Sequence, residues 1–540
     1  MDTIENFKIP KEVTHVTKTL QNSGFEAYLV GGCVRELLRG EEPKDWDITT
    51  NAHPEDIIKL FEDTFYENDY GTVGIVVKEL VENGKLNVAH ETGQTVSQET
   101  DKIIATHETD TVTAEEDEED DFLAPGEYTK EKSAVIEVTP YRLEAKYTDS
   151  RHPDEVVFSQ SLGDDLKRRD FTMNAIAYDQ HKGQSVDPYQ GHHDITDKII
   201  RAVGEPVDRF EEDTLRILRA VRFAAELGFT IEHSTREAIK LFAHKLKNVS
   251  IERIRDEFTK IVMSDTPMSG IMMANELGVL EHIIPELEEG IHIEQNHAHS
   301  FDVWSHNLRT LQHAANKKWP LKVRLAALLH DISKPVTRQW SEKNKDWTFY
   351  GHDVVGGRTA KKILTRLKYP KKLIEEASLL VRYHLFFSDT EVITHSAVRR
   401  IVRHVGKENI WDLMRVRACD RIGTGRPKEQ PYRLRKYHAM IEEVMRDPLS
   451  VGALKITGNR IMEITKSKPG PRIGWMLHAF LEEVLEDPAK NTAEYLEKRA
   501  GELSPLPDSE LSVLGVKGKT AKEQIEEEEI SKIRKKHWVK

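Results

Sequence analysis

The segment that most constrains this 540-residue chain spans residues 26–50, where an apolar run, a glycine pair and two closely spaced aspartates follow one another. EAYLV (26–30) predicts a buried strand, and Gly31 and Gly32 lead from it into a short helix, CVRELLRG. DWDITT (45–50) predicts the next strand. Glycines between a strand and a helix let the backbone approach a phosphate closely, and the helix N-terminus offers free N–H groups. The segment therefore predicts an α/β unit with a phosphate-binding turn, with a plain tight turn as the alternative.

The apolar pattern changes along the chain and divides it into an α/β part and a helical part. TVGIVVKEL, AVIEVTPYR and MNAIAYD predict further strands before residue 180. From about Phe210 onwards the spacing is almost entirely helical, and we expect no strand there. The chain is thus predicted to be α+β. We place the boundaries at 1–180 for an α/β head and at 181–290, 291–425 and 426–540 for three successive helical parts.

The net charge of −14 is concentrated in one segment. Residues 91–132 hold 14 acidic and 3 basic side chains, which leaves the rest of the chain close to neutral. This stretch has no apolar periodicity, so we expect a flexible insertion in the head. An acidic total does not exclude a nucleic-acid partner, because binding depends on where Lys and Arg cluster.

The cysteine content and the hydropathy indicate the compartment. Cys33 and Cys419 are the only cysteines, too few for a disulfide framework or a four-thiolate zinc site. No run approaches the ~20 apolar residues of a spanning helix, and MDTIENFKIP has no apolar signal core. We therefore expect a cytoplasmic protein without a membrane partner.

Asp45 and Asp47 predict a metal site. If both lie on a strand, their side chains face the same way while Trp46 packs on the other side. Two adjacent carboxylates repel unless cations sit between them, and two Mg²⁺ ions ~3.5–4 Å apart satisfy this. Arg35, in the first turn of the predicted helix, adds a charge that can bind phosphate oxygens. A turn with capping aspartates is the alternative.

The segment EEDTLRILRAVRF predicts a polar stripe on a helix. Asp213, Arg216, Arg219 and Arg222 recur every three residues, beside an apolar stripe that begins at Leu215. Solvated ion pairs and an RNA-backbone contact are alternative interpretations.

The helical part carries histidines and aspartates in a suggestive order. LLHDISKP places His330 and Asp331 at the end of an apolar helix, where both can turn to one cavity. His306 precedes them, and His352, His384 and Asp420 follow. Among 24 histidines, buried ones that bond a carbonyl are the alternative explanation.

An ordered series of motifs over nearly the whole chain resembles the class II, bacterial-type CCA-adding enzymes, which are tRNA nucleotidyltransferases of the polymerase-beta-like superfamily. The motifs are VGGCVRELL, DWDITTNAHPEDI, YTDSRHPDEVVF, DLKRRDFTMNAIAYD, EEDTLRILRAVRFAAELGF, SIERIRDEFTKI and PGPRIGWMLHAFLEEVLEDPAKNT. Two features depart from the family. Glu36 stands where Asp is usual and keeps the charge, and the acidic insertion at 91–132 is longer than expected.

The resemblance implies a polymerase-beta-like head, an all-α remainder and specific residue roles. In the remainder it implies a neck with the nucleotide-selecting motif and an RNA-binding body at 181–290, a metal-binding HD domain at 291–425, and a body and tail that bind tRNA at 426–540. Asp45 and Asp47 would be catalytic and hold two Mg²⁺ ions. Asp213 and Arg216 would present hydrogen-bonding groups to the incoming base in place of a template, and Arg219 and Arg222 would hold the triphosphate. The implied nucleotide-binding set is Gly32, Arg35, Arg169, Asp170, Asp213, Arg216, Arg219 and Arg222. A structural ion pair is the alternative for Arg169 and Asp170.

The order of the later ligands resembles the HD-domain phosphohydrolases. By that match, His306, His330, Asp331 and Asp420 would bind a divalent transition metal, with His352 and His384 as supplementary ligands. Related domains hydrolyse phosphomonoesters or 2′,3′-cyclic phosphates, and others keep the site for structure.

The implied function is addition or repair of the 3′-terminal CCA of tRNA from CTP and ATP, with pyrophosphate release. A poly(A), A-only or CC-only polymerase is the first alternative. The stretch FYENDYGTVGIVV lacks the basic run of bacterial poly(A) polymerases and favours the tRNA enzyme. An HD phosphohydrolase with an RNA-binding head is the second alternative, which the Asp45–Asp47 pair disfavours.

Overall fold

The structure of this chain is a computed structural model that describes residues 7–66, 71–78, 133–144, 156–297, 299–386, 393–446 and 451–539. These residues divide into two compact units. The first comprises Met1–Glu288 and Thr365–Lys371, and the second comprises Glu289–Leu364 and Lys372–Lys540. The acidic insertion expected at 91–132 lies outside the described residues.

The first unit contains a mixed sheet followed by helices. Its strands are β1 (Ala27–Val30), β2 (Asp47–Thr50), β3 (Thr64–Tyr66), β4 (Val73–Lys78), β5 (Ser133–Pro140), β6 (Arg142–Glu144), β7 (Val156–Phe158), β8 (Ala177–Asp179), β9 (Gln184–Val186), β10 (Ile199–Ile200) and β11 (Thr230–Ile231). Its helices are α1 (Lys11–Asn22), α2 (Gly32–Leu38), α3 (Pro54–Leu60), α4 (Leu162–Lys167), α5 (Gly191–Thr196), α6 (Pro206–Glu212), α7 (Leu215–Leu227), α8 (His233–Phe242), α9 (Ile251–Met263), α10 (Pro267–Glu276) and α11 (Pro285–Glu288).

Seven strands form the main sheet in the order β3-β4-β5-β2-β1-β8-β9. β2 and β5 are parallel, whereas the other neighbours are antiparallel. The strands predicted at 26–30, 45–50, TVGIVVKEL, AVIEVTPYR and MNAIAYD are confirmed as β1, β2, β4, β5 and β8. The central strands place the glycine turn and the aspartates at one end of β1 and β2.

Buried apolar side chains explain why these segments fold as they do. Leu29 and Val30 in β1 are almost fully buried, as expected for a central strand. In α7, Leu215, Leu218 and Val221 form the predicted apolar stripe and are buried. α7 packs mainly on α9, so the neck is built by helix–helix packing.

The second unit is largely helical. Its elements are α12 (Val303–Asn316), α13 (Leu321–Leu329), α14 (Lys334–Thr337), β12 (Gln339–Ser341), β13 (Asp346–Thr348), α15 (His352–Arg366), α16 (Lys371–Tyr383), α17 (His395–Val405), α18 (Ile410–Gly423), α19 (Tyr432–Met445), α20 (Gly458–Thr465), α21 (Pro471–Glu486), α22 (Ala493–Leu503) and α23 (Asp508–Lys536). The last four helices share a core around Ile461, Phe480 and Leu496.

The expectation of no strand after residue 210 is wrong at two places. β11 pairs in parallel with β10, and β12 pairs with β13 as a hairpin. The hairpin spans residues 339–348, a polar stretch without readable apolar periodicity. Trp340 and Trp347 are cross-strand partners with ring centroids 5.1 Å apart, and such aromatic pairs stabilise a two-stranded ribbon. The α+β fold class itself is confirmed.

Across the described ranges, every helix is too short or too polar to span a bilayer.

Candidate active site and metal centre

The glycine turn between β1 and α2 is closely surrounded by polar side chains. Gly31 has φ 76° and ψ −131°, a backbone conformation that only glycine adopts without strain. A Cβ at Gly31 would lie 3.2 Å from Nη1 of Arg169 and 3.4 Å from Oδ2 of Asp47. The turn therefore needs glycine for its conformation and also for the space that these two side chains occupy. It brings three sequence-predicted positions, Gly32, Asp47 and Arg169, to one place.

The two aspartates differ in their backbone setting. β2 begins at Asp47, so Asp45 lies before the strand, and the argument from strand alternation does not apply to it. Asp45 is exposed, whereas Asp47 is half-buried. The Trp46 carbonyl still accepts a hydrogen bond of 3.2 Å from the amide of Glu137. The pairing with β5 therefore includes one residue before the start of β2. A shared orientation of the two carboxylates stays a prediction.

Glu137 is a third carboxylate beside this pair. In the parallel register of β2 and β5, Glu137 lies directly opposite Asp47. Side chains at opposed positions of neighbouring strands point to the same face of the sheet. On its other side Glu137 pairs with Gly74, which has no side chain. The sequence VIEVTPYR allows Glu137 to be a further carboxylate near the metals but favours a solvent-facing strand acid, because the β2–β5 pairing spans the long insertion and cannot be seen in the local pattern.

Asp165 positions the arginine that faces the glycine turn. Its carboxylate is fully buried and accepts hydrogen bonds from Arg168 and Arg169 and from the hydroxyl of Thr49. Burial alone would raise the pKa of Asp165, but the two guanidinium groups lower it, so the carboxylate stays ionised. Arg169 is therefore held by a fixed negative charge, with its other nitrogen near Gly31.

A second network joins Arg35 to α7. Asp170 accepts hydrogen bonds from Arg219 at 2.8 Å and from Asn174 at 3.0 Å, and Arg35 donates to Asn174 at 2.6 Å. Arg35 and Arg219 both lie over the ring of Phe223. Burial opposes ionisation of Asp170, but the Arg219 charge and these hydrogen bonds outweigh it and lower the pKa to about 2. Three predicted nucleotide-binding residues are thus in one connected group.

The stripe predicted on one helix is interrupted at its start. Asp213 lies in the break between α6 and α7, so the prediction that it shares a helix face with the three arginines is wrong. Its side chain accepts from the Leu215 amide at 3.0 Å, which orders the start of α7, and from Arg253 at 2.8 Å. Asp and other short polar residues favour such positions because they bond the free amides of a helix start.

Arg216 is buried at the same corner. Its guanidinium donates to Glu212, to the Arg209 carbonyl and to the Arg168 carbonyl at 2.7, 3.2 and 2.8 Å. The Arg168 carbonyl belongs to the residue before Arg169, so α7 is tied to the arginine that faces the glycine turn. A base-contacting role for Asp213 and Arg216 stays a prediction.

Arg222 faces a different set of partners. It donates to Glu257 on α9 at 2.6 Å and to Glu226 at 2.7 Å, and it lies 4.0 Å from the centroid of the Phe223 ring. Both Arg222 and Glu257 are buried. This geometry favours a packing role between α7 and α9, and triphosphate binding by Arg222 stays a prediction.

In the second unit, the helices α12, α13 and α18 bring the first four HD residues together. Nε2 of His306 lies 2.9 Å from Nε2 of His330, 3.2 Å from Oδ2 of Asp331 and 3.4 Å from Oδ1 of Asp420. His330 lies 3.2 Å from the same oxygen of Asp331 and 3.8 Å from that of Asp420. Ligand atoms of one metal ion lie at such mutual distances, because each is ~2.0–2.2 Å from the ion.

His352 and His384 complete the cluster from the other side of Asp331. Their Nε2 atoms lie 3.3 and 3.6 Å from Oδ1 of Asp331, so this carboxylate faces both sets of histidines. Groups able to hold a metal are His306, His330 and Asp420 on one side, and Asp331, His352 and His384 on the other. All six predicted HD residues are therefore brought together.

Hydrogen bonds on the far side of the rings fix the histidine tautomers. Nδ1 of His330, His352 and His384 each donates to the backbone carbonyl three residues earlier, at 2.9, 2.6 and 2.7 Å. Each Nε2 then carries a lone pair directed into the cluster, the usual arrangement of metal-binding histidines. Histidines bonded to a carbonyl were the alternative explanation considered for the sequence, and these three rings do make such bonds. Their convergence on the carboxylate of Asp331 nevertheless fits a site for a divalent metal.

Two residues of this centre were missed by sequence reasoning. Nζ of Lys334 lies 2.6 Å from Oδ2 of Asp331 and also bonds Gln295. His299 is close enough to His306 and Asp331 to act as a further ligand. Lys334 follows the His-Asp pair by three residues in LLHDISKP, a signal that was available, whereas nothing in the sequence around His299 distinguishes it.

Models of known protein families match both units. The poly A polymerase head domain matches residues 27–124 and 117–201. The probable RNA and SrmB-binding site of polymerase A matches residues 228–291. The HD domain matches residues 303–425.

Relatives and solved structures agree with these models. The chain is 33% identical over 340 residues to an A-adding tRNA nucleotidyltransferase of Deinococcus radiodurans, covering 61% of this chain and 76% of that one. It is 41% identical over 246 residues to a CCA-adding enzyme of Lactobacillus helveticus, covering 46% of this chain and 48% of that one, so it spans about half of that relative's length. The crystal structure of the Bacillus stearothermophilus CCA-adding enzyme in complex with CTP matches with a TM-score of 0.54 and 25% identity, covering 91% of this chain and 96% of that one.

The glycine turn with its carboxylates and arginines lies within the head match, and the histidine–aspartate cluster lies within the HD match. The chain therefore belongs to the tRNA nucleotidyltransferase family with a poly(A) polymerase-type head, in a form that carries an HD domain.

Proposed function

We propose that the chain is a template-independent nucleotidyltransferase that completes or repairs the 3′-terminal CCA of tRNA with CTP and ATP. The observation that carries this proposal is the arrangement of Asp47 and Arg169 around Gly31, with Glu137 opposite Asp47 in the sheet. The CCA-adding relatives support tRNA as the partner. A tRNA substrate also supports a cytoplasmic location.

The proposed reaction joins the RNA 3′-oxygen to the α-phosphorus of the nucleotide. The bond from that phosphorus to the bridging oxygen breaks, and pyrophosphate leaves. Asp45, Asp47 and Glu137 would hold Mg²⁺, which would supply the positive charge that favours ionisation of the 3′-hydroxyl and balances the triphosphate. Arg169, held by Asp165, would bind phosphate oxygens next to the turn, and Arg35 and Arg219 would supply further positive charge.

Nucleotide choice is assigned to the corner between α6 and α7. Asp213 and Arg216 would present a carboxylate and a guanidinium to the base edge, which suits C or A and leaves G and U unmatched. An unmatched buried polar group costs ~1–3 kcal/mol. Both side chains are held by neighbours at this corner, so their hydrogen-bonding groups are positioned before the nucleotide binds.

The limits of the domains are also part of this proposal. We assign 1–180 to the catalytic head, 181–290 to the neck and RNA-binding body, 291–425 to the HD domain and 426–540 to the helical body and tail. The family matches at 27–201, 228–291 and 303–425 support these limits.

A-only addition is the second candidate for the head, because the Deinococcus relative is an A-adding enzyme. The two are separated by offering labelled CTP or ATP with tRNAs that end before, within and after CCA. Incorporation of both nucleotides in order supports CCA addition. Incorporation of ATP alone, and only into tRNA ending in CC, supports A addition.

The HD cluster supports an additional phosphohydrolase activity. Four imidazoles with Asp331 and Asp420 favour Mn²⁺, Co²⁺ or Ni²⁺ over Mg²⁺. The test replaces His330 and Asp331 together by Ala and assays 2′,3′-cyclic nucleotide hydrolysis across these metals. Hydrolysis should be lost while nucleotide addition stays within about tenfold. Absence of hydrolysis by the unmodified chain with every metal would make the cluster structural.

A further inference from the structure

Helix α17 carries side chains of a single charge sign on the surface of the second unit. Its valines at three- and four-residue spacing are buried and pack the helix against α18 and α19. Its other side carries Arg399, Arg400 and Arg403, all exposed, and the exposed Lys407 follows one turn later. Residues 394–407 hold these four basic side chains and no aspartate or glutamate, in a chain whose net charge is −14. These four residues form the α17 basic face.

The arginines of the α17 basic face have no ion-pair or hydrogen-bond partner within the described ranges. Arginines elsewhere in the unit are neutralised, as Arg415 on α18 is by Asp412 at 2.6 Å. Arg399 and Arg403 lie one helical turn apart, and like charges at that spacing destabilise a helix by ~0.2–0.5 kcal/mol. The sequence of α17 therefore places mutually repelling charges where no carboxylate of the described chain relieves them.

Two acids border this face, and both are engaged elsewhere. A Cβ at Gly406 would collide with the Glu408 carboxylate, so this carboxylate lies over the backbone of its own turn. Glu443 on α19 pairs with His395 at 2.8 Å and with Arg534 at 3.0 Å. The α17 basic face is therefore not one half of an internal salt-bridge network, and its charge is directed to solvent.

The side chains of α17 suit a polyanion that is not read by sequence. Guanidinium groups bind phosphate oxygens through paired hydrogen bonds. The helix HSAVRRIVRHV has no Phe, Tyr or Trp on which a base could stack, and no Asn or Gln that could read a base edge. The ring of His404 is already stacked on Tyr383, with centroids 5.7 Å apart. Contacts to phosphates alone are typical of binding to base-paired RNA, whose bases are covered by the helix.

We propose that the α17 basic face binds the phosphate backbone of a base-paired stem of tRNA. The inference rests on the proposed function for the identity of the RNA. It adds a contact surface within the HD domain, apart from the body and tail to which tRNA binding is otherwise assigned. Backbone contacts of this kind supply affinity and register, and they leave the choice of nucleotide to the head.

Binding is tested in EDTA, so that the result does not depend on nucleotide addition. Fluorescently labelled tRNA lacking CCA, an RNA hairpin and an unstructured RNA strand of equal length are titrated with the full chain at several KCl concentrations. Each phosphate contact on a duplex contributes about 0.9 to the slope of log affinity against log salt. Replacement of Arg399, Arg400 and Arg403 together by Gln should lower that slope by about 2–3 and weaken tRNA and hairpin binding by about 10²-fold at about 0.1 M salt.

Three further variants make the test specific. Replacement of the same three arginines by Lys should keep most of the affinity, because each lysine still places a positive charge near phosphate. Arg403→Gln alone should lower the slope by about 0.9 and serves if the triple variant does not fold. The matched control replaces Lys361, Lys362 and Lys372 together by Gln, which removes the same charge from exposed positions of α15 and α16. It should change the slope by less than about 1.

Three results would overturn the inference. An equal loss of affinity in the lysine control would show that net charge, and not this face, determines binding. A loss confined to the unstructured strand would contradict the assignment to a base-paired stem. Tighter binding of poly-glutamate than of the hairpin, with the same dependence on the three arginines, would assign an acidic protein partner instead.

Nucleotide addition separates this inference from the proposed function. In steady-state addition of CTP, the triple Gln variant should keep kcat within about twofold and raise the KM for tRNA by about tenfold or more, because only uniform binding energy is lost. Binding that needs the three arginines without any addition by the unmodified chain keeps the basic face and removes the proposed function. Normal addition with unchanged KM and unchanged salt dependence keeps the proposed function and overturns this inference.

Discussion

Replacement of Gly31 by Ala tests how closely the catalytic side chains approach the turn after β1. A non-glycine residue in this backbone conformation costs ~1–3 kcal/mol of stability. The new Cβ would also stand 3.2 Å from Arg169 and 3.4 Å from Asp47, so at least one of these side chains must move by a few tenths of an ångström. Misplacement of reacting groups on this scale costs up to about 10²-fold in rate. We expect a loss of ~1–3 kcal/mol in unfolding free energy and a fall in nucleotide addition of about 10–10²-fold.

Gly24→Ala separates the two effects. Gly24 also has a positive φ, 89°, but a Cβ there would meet no atom within 4 Å. This control should lose comparable stability and keep nearly full activity. Both variants are measured by denaturant unfolding and by single-turnover addition of labelled CTP to tRNA lacking CCA. Equal activity of the two variants would show that Asp47 and Arg169 do not act at the glycine turn.

Three shorter predictions concern charged side chains of the first unit. Glu137→Gln should lower nucleotide addition by about tenfold or more without changing the melting temperature, since it removes a carboxylate opposite Asp47; normal addition would exclude Glu137 from the site. The pKa of Asp170 is lowered to about 2 in the folded chain from 3.8, so its contribution of about 2 kcal/mol is present above pH 4 and lost as the pH falls towards 2. Acid unfolding of Asp170→Asn should lack this component, and an unchanged pH profile would contradict the assignment. Arg222→Ala should destabilise the fold by ~1–3 kcal/mol, because it leaves the buried Glu257 with Lys260 as its remaining ion-pair partner; a raised KM for CTP at unchanged stability would instead indicate a triphosphate contact.

The strands and helices around the glycine turn were predictable because their signals are local. The apolar run at 27–30, the two glycines and the DWD segment each determine the structure of their own few residues. The HD residues were predictable for another reason. His330 and Asp331 adjoin in sequence, and the order of the other ligands matched a known family.

What the sequence did not give depends on contacts between distant segments. Glu137 lies opposite Asp47 only because β2 and β5, which the insertion separates in sequence, pair in the sheet. The residues around Glu137 show the alternation of any half-exposed strand. Asp213 continues a three-residue spacing, yet it lies before α7, where its side chain accepts a hydrogen bond from the Leu215 amide. Arg222 belongs to the same spacing, but the position of Glu257 on α9 decides its role.

The hairpin at β12 and β13 was missed because each strand has only three residues. Periodicity is not readable over so short a stretch, and the polar turn resembles a joint. Cross-strand packing of Trp340 and Trp347 stabilises it, and that contact appears only after folding.

The central claim is that Asp47 belongs to a carboxylate metal site that transfers nucleotides to tRNA. The most direct test measures incorporation of labelled CTP and ATP into tRNA lacking CCA, with Mg²⁺ and without template, by the unmodified chain, by Asp47→Asn and by the partly exposed control Asp56→Asn. Our account predicts ordered incorporation by the unmodified chain and the control, and a loss of at least about 10³-fold in Asp47→Asn at unchanged melting temperature. Near-normal incorporation by Asp47→Asn, or no incorporation of either nucleotide by the unmodified chain into any tRNA end, would contradict it.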